Sequence, residues 1–176
     1  MKITEMIKGC VQVYTGDGKG KTTAAIGLAV RALGAGMRVY FAQFLKSGNY
    51  SEKNLLETLN NLVFRQYGNS GFITRAPSDE DRAMASRGLE EAKEALRSGA
   101  YDLVILDEAN VACGLGLITK DDVLSLLRER REATELVLTG RNAAPELLDA
   151  ADLVTEMRSV KHYFNSGIPA RRGIES

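Results

Sequence analysis

The most constraining feature of this sequence is a glycine-rich stretch, VYTGDGKGKTTAA, at residues 13–25. A short β-rich run at 10–14 leads into it, and an alanine-rich run of helical pattern at 22–35 follows it. Glycines adopt backbone angles that other residues avoid, so such a turn can direct several backbone N–H groups at phosphate oxygens where a helix begins. The sequence therefore predicts a strand, a phosphate-binding loop and a helix in succession.

The spacing of this stretch departs at one position from the usual phosphate-loop pattern, G-x-x-x-x-G-K-[ST]. Thr15 stands in the place of the first glycine, and Gly16 beside it supplies similar backbone freedom. Lys21 is predicted to reach the outer phosphates, and the Thr22 hydroxyl to bind Mg²⁺. A glycine turn without a ligand is the alternative, but the lysine, the threonine and both flanking segments favour phosphate binding. The residues predicted to contact nucleotide are Thr15, Gly16, Asp17, Gly18, Lys19, Gly20, Lys21, Thr22 and Thr23.

Strand-like and helical patterns alternate along the rest of the chain. The predicted strands are 10–14, 38–44, 62–67, 101–108, 135–140 and 152–157, and the predicted helices are 22–35, 54–59, 78–98, one from Thr119 and one from Pro145. Ser78 and Thr119 are each followed three residues later by an aspartate, which marks a helix start. Alternation of this kind predicts an α/β fold: a single P-loop NTPase-like (Rossmann-like) domain over 1–176, its mostly parallel sheet covered by helices on both faces.

Composition excludes little and suggests no special partner. The chain has 176 residues, a length that suits one domain, with 23 basic and 23 acidic side chains. A net charge of zero gives no indication of a nucleic-acid partner, and no apolar run reaches the roughly 18 residues of a membrane span. A cytoplasmic protein with neither a nucleic-acid nor a membrane partner is expected. Cys10 and Cys113 lie far apart in apolar segments and are predicted to be reduced core thiols.

A second motif, VILDE at 104–108, follows the phosphate loop by about 85 residues. In P-loop proteins an apolar strand that ends in an acid delivers a carboxylate beside the metal. Two acids, Asp107 and Glu108, end this strand. Successive strand side chains point to opposite faces, so only one of the two is expected to face the metal directly. Taken alone, such an acid could also merely cap the next helix.

Four segments in order, YTGDGKGKTTAA, LDE, LTGR and VKHYFNSGIPARRGI, resemble the P-loop ATP:corrinoid adenosyltransferases over nearly the whole chain. Members of that family carry the same threonine in place of the first glycine. The resemblance implies a homodimer that transfers the 5′-deoxyadenosyl group of ATP to the cobalt of a reduced Co(I) corrinoid and releases triphosphate. It implies that Lys21, Thr22 and Glu108 are catalytic, and that Thr22 and Glu108 associate with Mg²⁺. A flavoprotein electron donor would be a transient partner.

Two further positions follow from the same comparison. Arg141 comes after the strand 135–140, at the sheet edge where ligands bind, and either a phosphate contact or a solvated arginine fits the sequence. In the best-known members a Gly-Phe-x-Trp segment closes over the lower face of the corrin. Here the segment is GFITR, in which Phe72 matches and Thr74 stands at the tryptophan position. Phe72 is therefore predicted either to wall the lower face or to fill the core. Many relatives also have a longer N-terminal cover, which is expected to be short here.

Two other functions remain open from the residues alone. A small P-loop kinase or ATPase would act on the γ-phosphate and yield ADP, and a nucleotide-dependent switch would have no small-molecule substrate. Neither a catalytic-loop base nor a guanine-specificity motif accompanies the loop, which disfavours both. His162, the only histidine, is predicted to be structural and not a cobalt ligand.

Overall fold

The computed structural model describes residues 8–48, 50–69 and 76–175. Within these residues six strands form one sheet in the order β3-β2-β4-β5-β1-β6. The strands are β1 Val11–Thr15, β2 Val39–Phe44, β3 Leu62–Tyr67, β4 Leu103–Asp107, β5 Glu135–Thr139 and β6 Leu153–Glu156. The helices are α1 Lys21–Gly34, α2 Ser51–Leu56, α3 Asp79–Ser98, α4 Ala109–Gly114, α5 Lys120–Glu129 and α6 Pro145–Ala150, and a 3₁₀ helix spans Tyr163–Ser166.

Every pairing between these strands is parallel. The carboxyl ends of all six strands therefore meet at one edge of the sheet, where ligands of open α/β sheets bind. β5 lies between β1, which leads into the glycine loop, and β4, which ends in the acidic pair. The predicted α/β P-loop architecture is confirmed.

The core consists of two layers on opposite faces of the sheet. Alternate residues of β4 show this division: Val104 and Leu106 pack with α3, α4, α5 and α6, whereas Leu103 and Ile105 pack with α1 and α2. A strand buried on both faces needs apolar residues at successive positions, as the sequence of β4 indicated. The prediction of helices on both faces is confirmed.

Local signals placed most helix starts correctly. Ser78 and Thr119 each cap a helix through a reciprocal pair of hydrogen bonds with the aspartate three residues on, as predicted. Helix α2 begins three residues before the predicted Asn54. The six-residue α4 and the 3₁₀ helix were not predicted, because neither is long enough to show a hydrophobic period.

Two other expectations can be compared with the structure. The two cysteines are free, but they are half-buried and lie outside the fully buried core. Among the described residues no helix has both the length and the apolar character needed to cross a bilayer.

Candidate nucleotide-binding site

The glycine loop occupies residues 16–20, between β1 and α1. Thr15 is the last residue of β1 and pairs with Glu156 of β6, so the position of the missing glycine is ordinary strand. The turn begins one residue later: Gly16 has φ 92° and Gly20 has φ 121°, values that side chains disfavour. Thr15 is thus accommodated because this turn needs its first glycine at position 16.

The segment after β6 braces the loop from one side. The N–H of Gly18 donates a hydrogen bond of 2.6 Å to the Met157 carbonyl. A Cβ atom at Gly16 or Gly18 would lie 2.4 Å or 2.7 Å from that same carbonyl oxygen. Glycine is required at both positions because a neighbouring backbone approaches this closely. The brace also commits the Gly18 amide of the loop to a protein acceptor.

Lys21 begins α1, and its side chain folds back over the loop. Its Nζ donates hydrogen bonds of 2.6 Å to the Gly16 carbonyl and 2.7 Å to the Gly18 carbonyl. The residue is buried, and this burial lowers the pKa of its ammonium group. The cation therefore sits within the loop, where an entering phosphate offers it a stronger partner than two carbonyls.

Asp107 ends β4 and joins four side chains into one network. It is fully buried. Its Oδ1 accepts hydrogen bonds from the hydroxyls of Thr22 (2.9 Å) and Thr139 (2.7 Å), and its Oδ2 accepts from Lys46 (2.9 Å) and Gln43 (3.2 Å). These four bonds use the acceptor capacity of a carboxylate. Asp107 therefore orients its neighbours and has no lone pair left for a further ligand.

Glu108, the next residue, differs from Asp107 in backbone conformation, burial and hydrogen bonding. Its backbone is left-handed, with φ 61°, and its half-buried carboxylate accepts no hydrogen bond from the described residues. Burial and then the charge of Asp107 raise the pKa of Glu108, while Lys46, Lys21 and Arg141 oppose that rise. Of the two acids, Glu108 is therefore the one whose carboxylate is available for a ligand. The strand pattern alone could not decide between them, because the decision depends on which partners the fold supplies; the family resemblance had implied Glu108.

The chemistry of these donors fits Mg²⁺. Within the described ranges no three His, Cys, Asp or Glu residues cluster as a metal site. A magnesium ion that accompanies nucleotide, however, needs only one or two protein oxygens besides phosphates and water. Thr22 donates its hydroxyl hydrogen bond to Asp107, so its oxygen can accept, although Lys46 Nζ already lies 3.4 Å from it. Glu108 offers a carboxylate that accepts no hydrogen bond from the described residues. These two residues are the ones that could hold the metal.

Lys19 extends away from the loop toward the end of the chain. Its Nζ donates to the Tyr163 hydroxyl (2.9 Å), to Glu175 Oε1 (2.9 Å) and to the Ile174 carbonyl (3.1 Å). Arg171 pairs with the same carboxylate at 3.1 Å and lies 4.8 Å from the centre of the Tyr163 ring. These contacts tie the C-terminal segment to the loop. The Lys19 side chain therefore contacts that segment, and its contact with nucleotide stays a prediction.

The remaining predicted residues are less constrained. Asp17, Thr23 and Arg141 are exposed, and their side chains form no hydrogen bond within the part of the chain that the structure describes. Phe72 lies outside the described residues, so its two predicted roles stay predictions. His162 caps the 3₁₀ helix, because its Nδ1 accepts the Phe164 N–H at 3.1 Å.

Sequence reasoning missed three side chains of the Asp107 network: Gln43, Lys46 and Thr139. A usable signal was present, since all three lie at or just after the carboxyl ends of β2 and β5, the strands that flank β4. Gln43 is also a fully buried amide in an otherwise apolar strand, which calls for a polar partner. The contacts of Met157 and Glu175 left no such signal in the sequence.

Comparisons with known proteins agree with this architecture. Residues 7–176 match the family model described as ATP:corrinoid adenosyltransferase BtuR/CobO/CobP. A corrinoid adenosyltransferase of Sinorhizobium sp. is 40% identical over 172 residues, covering 96% of this chain and 80% of the relative. That of Escherichia coli K12 is 37% identical over 171 residues, covering 96% and 86%. Corrinoid adenosyltransferase CobA of Salmonella typhimurium LT2 is also 37% identical, with the same coverage.

Proposed function

Because this chain belongs to the family of ATP:corrinoid adenosyltransferases, we propose that its glycine loop holds the triphosphate of ATP while the 5′-deoxyadenosyl group passes to the cobalt of a reduced corrinoid. The enzyme is a transferase with ATP and a corrinoid as substrates. One observation supports the assignment of this reaction to the glycine loop and the acidic strand: the hydrogen bond between Thr22 and Asp107, which joins the two. Glu108, the residue after Asp107, has a carboxylate available for a ligand.

In this reaction the phosphates leave and are not transferred. The electron pair of Co(I) forms a cobalt–carbon bond to C5′ of the ribose, and the bond between C5′ and its oxygen breaks. Triphosphate departs with the electrons of that bond, so negative charge builds on the oxygen nearest the ribose. Groups fixed in advance around developing charge are the main source of such catalysis. Cobalt itself is the nucleophile, so no general base is needed.

Each side chain then has a defined task. The loop amides and Lys21 bind the triphosphate and stabilise the charge that it gains. Thr22 and Glu108 would hold Mg²⁺, which when bound neutralises charge on the triphosphate oxygens. Asp107 accepts the hydrogen bond of the Thr22 hydroxyl and so keeps its proton turned away from the place where Mg²⁺ would bind. Arg141, which follows β5 and is exposed, would contact phosphate in this proposal.

Partners and location are part of the same proposal. We propose a homodimer that receives electrons from a transient flavoprotein donor in the cytoplasm, where ATP is available. The two free cysteines suit a reducing compartment.

The direct test is an anaerobic incubation with ATP, Mg²⁺ and chemically reduced cobalamin. A light-sensitive adenosylcorrinoid and inorganic triphosphate should form in equal amounts. Omission of the reductant is the control and should abolish both products. ADP formation without a cobalt–carbon bond would replace this proposal with a kinase or ATPase activity.

A further inference from the structure

Lys46 brings a second lysine into the site from the loop after β2. Its Nζ lies 2.9 Å from Asp107 Oδ2 and 3.4 Å from Thr22 Oγ1. The side chain is only 17% exposed, and its Asp107 partner is fully buried. The ammonium therefore contacts both Asp107 and the Thr22 hydroxyl, the pair that joins the acidic strand to the glycine loop.

The backbone around Lys46 is built to hold it there. Leu45 has a left-handed backbone, φ 61°, which is unfavourable for a leucine. The backbone N–H of Leu45 donates a hydrogen bond to the Tyr67 carbonyl at 2.9 Å. A Cβ atom at Gly68 would lie 2.6 Å from the backbone nitrogen of Lys46, so the two chain segments are in close contact. Two strand ends thus fix the start of the lysine side chain. Such strain persists where surrounding structure over-determines it, often at functional sites.

The charge of Lys46 is maintained by its surroundings. Burial alone lowers the pKa of the ammonium, but the charge and hydrogen bond of Asp107, together with the charges of Glu108 and Glu52, outweigh that effect. The net direction is upward, so the side chain is a cation at neutral pH. It lies over the ring of Tyr50, 5.5 Å from its centre. The position beside Asp107 and Thr22 therefore carries a full positive charge supplied by the protein.

A divalent metal bound to Thr22 would need the same oxygen. The proton of Thr22 points to Asp107, and Lys46 donates to the oxygen on which a metal would have to bind. A metal on this oxygen and the Lys46 ammonium beside it would repel each other, and the repulsion is strong because the site is largely shielded from water. This repulsion favours movement of Lys46 when the metal binds. Its four-carbon stem allows this, and the triphosphate that arrives with the metal is the strongest anion within reach.

We propose that Lys46 is a displaceable cation, which neutralises Asp107 and Thr22 until a metal–triphosphate enters and then moves its ammonium onto the triphosphate. The inference rests on the proposed function for the identity of the incoming ligand. It assigns Lys46 a direct role in binding the leaving group, in addition to Lys21. It also predicts that the protein itself weakens binding of free metal, so that the metal enters with nucleotide.

The test compares Lys46→Met with wild type and with Lys53→Met. Lys53 is a matched control, because it lies on the following helix α2 and pairs with Glu57 at 3.9 Å. Binding of Mn²⁺, a hard cation with similar oxygen ligands, is followed by electron paramagnetic resonance without nucleotide. Binding of inorganic triphosphate with Mg²⁺ is followed by calorimetry. In Lys46→Met we expect Mn²⁺ affinity to rise about tenfold and triphosphate affinity to fall about tenfold, the size of one charge-assisted contact. Lys53→Met should change neither.

Two further variants keep the test decisive. Lys46→Met leaves the buried Asp107 without its cation, so its fold is checked by thermal melting. Lys46→Gln can still donate to Asp107 and should reproduce both changes if Lys46→Met is unfolded. Lys46→Arg keeps the charge and should bind Mn²⁺ as weakly as wild type. Unchanged Mn²⁺ affinity in folded Lys46→Met or Lys46→Gln would overturn the proposal, as would unchanged triphosphate affinity. No corrinoid enters these measurements, so failure of the adenosylation assay is a separate result.

Discussion

The hydroxyl of Thr22 donates a hydrogen bond of 2.9 Å to Asp107, although 85 residues separate them in the chain. Thr22 is the second residue of α1, and Asp107 ends β4, which lies on the far side of β5 from β1. The bond fixes the rotation of the hydroxyl, so that the oxygen and not the proton faces the site. The position of the loop and the position of the acidic strand are thereby coupled.

Asp107→Asn should lower the turnover number about 10–100-fold, the usual effect of losing a group that orients a metal ligand. An amide cannot accept from all four neighbours of Asp107, and it removes the charge that holds Lys46. Initial rates with Co(I) corrinoid and MgATP measure the effect. Asp102→Asn is the matched control, since Asp102 pairs with Arg38 before β4, at the opposite edge of the sheet. A wild-type rate for Asp107→Asn would remove Asp107 from the mechanism.

Glu108→Gln should separate function from stability. We expect turnover to fall roughly 100-fold through loss of the metal-binding carboxylate. Burial raises the folded-state pKa of Glu108, so its ionised form destabilises the protein. Stability contributed by this group falls as pH rises from its unfolded pKa through its folded pKa. Glu108→Gln should therefore melt higher than wild type at neutral pH, and the difference should vanish in acid. Near-normal turnover would move the metal role elsewhere.

Gly18→Ala should damage the loop, because the new Cβ would lie 2.7 Å from the backbone of Met157, which cannot rotate away. Overpacking of this kind costs about 1–3 kcal/mol of unfolding free energy, and MgATP binding should be lost with it. Gly27→Ala provides the control: it lies in α1 with no atom within 4 Å of the added carbon and should stabilise by about 1 kcal/mol. Chemical denaturation and calorimetry measure both. Tight MgATP binding by Gly18→Ala would show that the brace is dispensable.

Glu175→Gln should loosen the attachment of the C-terminal segment to Lys19. We expect the KM for ATP to rise about two- to fivefold with kcat unchanged, the range for an exposed ion pair. The difference from wild type should shrink at high salt, because screening weakens the pair in wild type too. Glu146→Gln removes a comparable surface pair with Lys120 and should leave the KM unchanged. Equal KM values for Glu175→Gln and wild type at low salt would contradict the coupling.

Phe72→Ala tests the corrin-facing role implied by the resemblance. If Phe72 walls the lower face of the corrin, the variant should slow adenosylation that starts from Co(II) and a reductase. It should have little effect when Co(I) is supplied directly, because the reduction step is bypassed. A core role would instead cost on the order of 3 kcal/mol of stability and lower both activities together. A thermal melt alongside the two assays distinguishes these outcomes.

The sequence was sufficient wherever a short local pattern carried the information. The loop glycines, the capping pairs at Ser78 and Thr119, and the apolar run of β4 each have a local physical cause, and all three were predicted. The residue pattern alone could not assign the roles of Asp107 and Glu108, and only the family resemblance pointed to Glu108 as the metal-associated acid. The partners of Asp107 come from elsewhere in the chain: Gln43 and Lys46 from β2 and the loop after it, and Thr139 from β5. The contact of Gly18 with Met157 likewise depends on how the segment after β6 turns, which no pattern of residue types specifies.

The strand order has a consequence for folding of the protein during its translation. β1 pairs only with β5 and β6, whereas β2 pairs with β3 and β4. Among the described strands, the one that leads into the glycine loop is thus made first, and it has no strand partner until the last two strands emerge. At roughly 5–20 residues per second this wait is on the order of ten seconds. A translation product that stops before β6 therefore contains the entire glycine motif without the Met157 backbone that braces it.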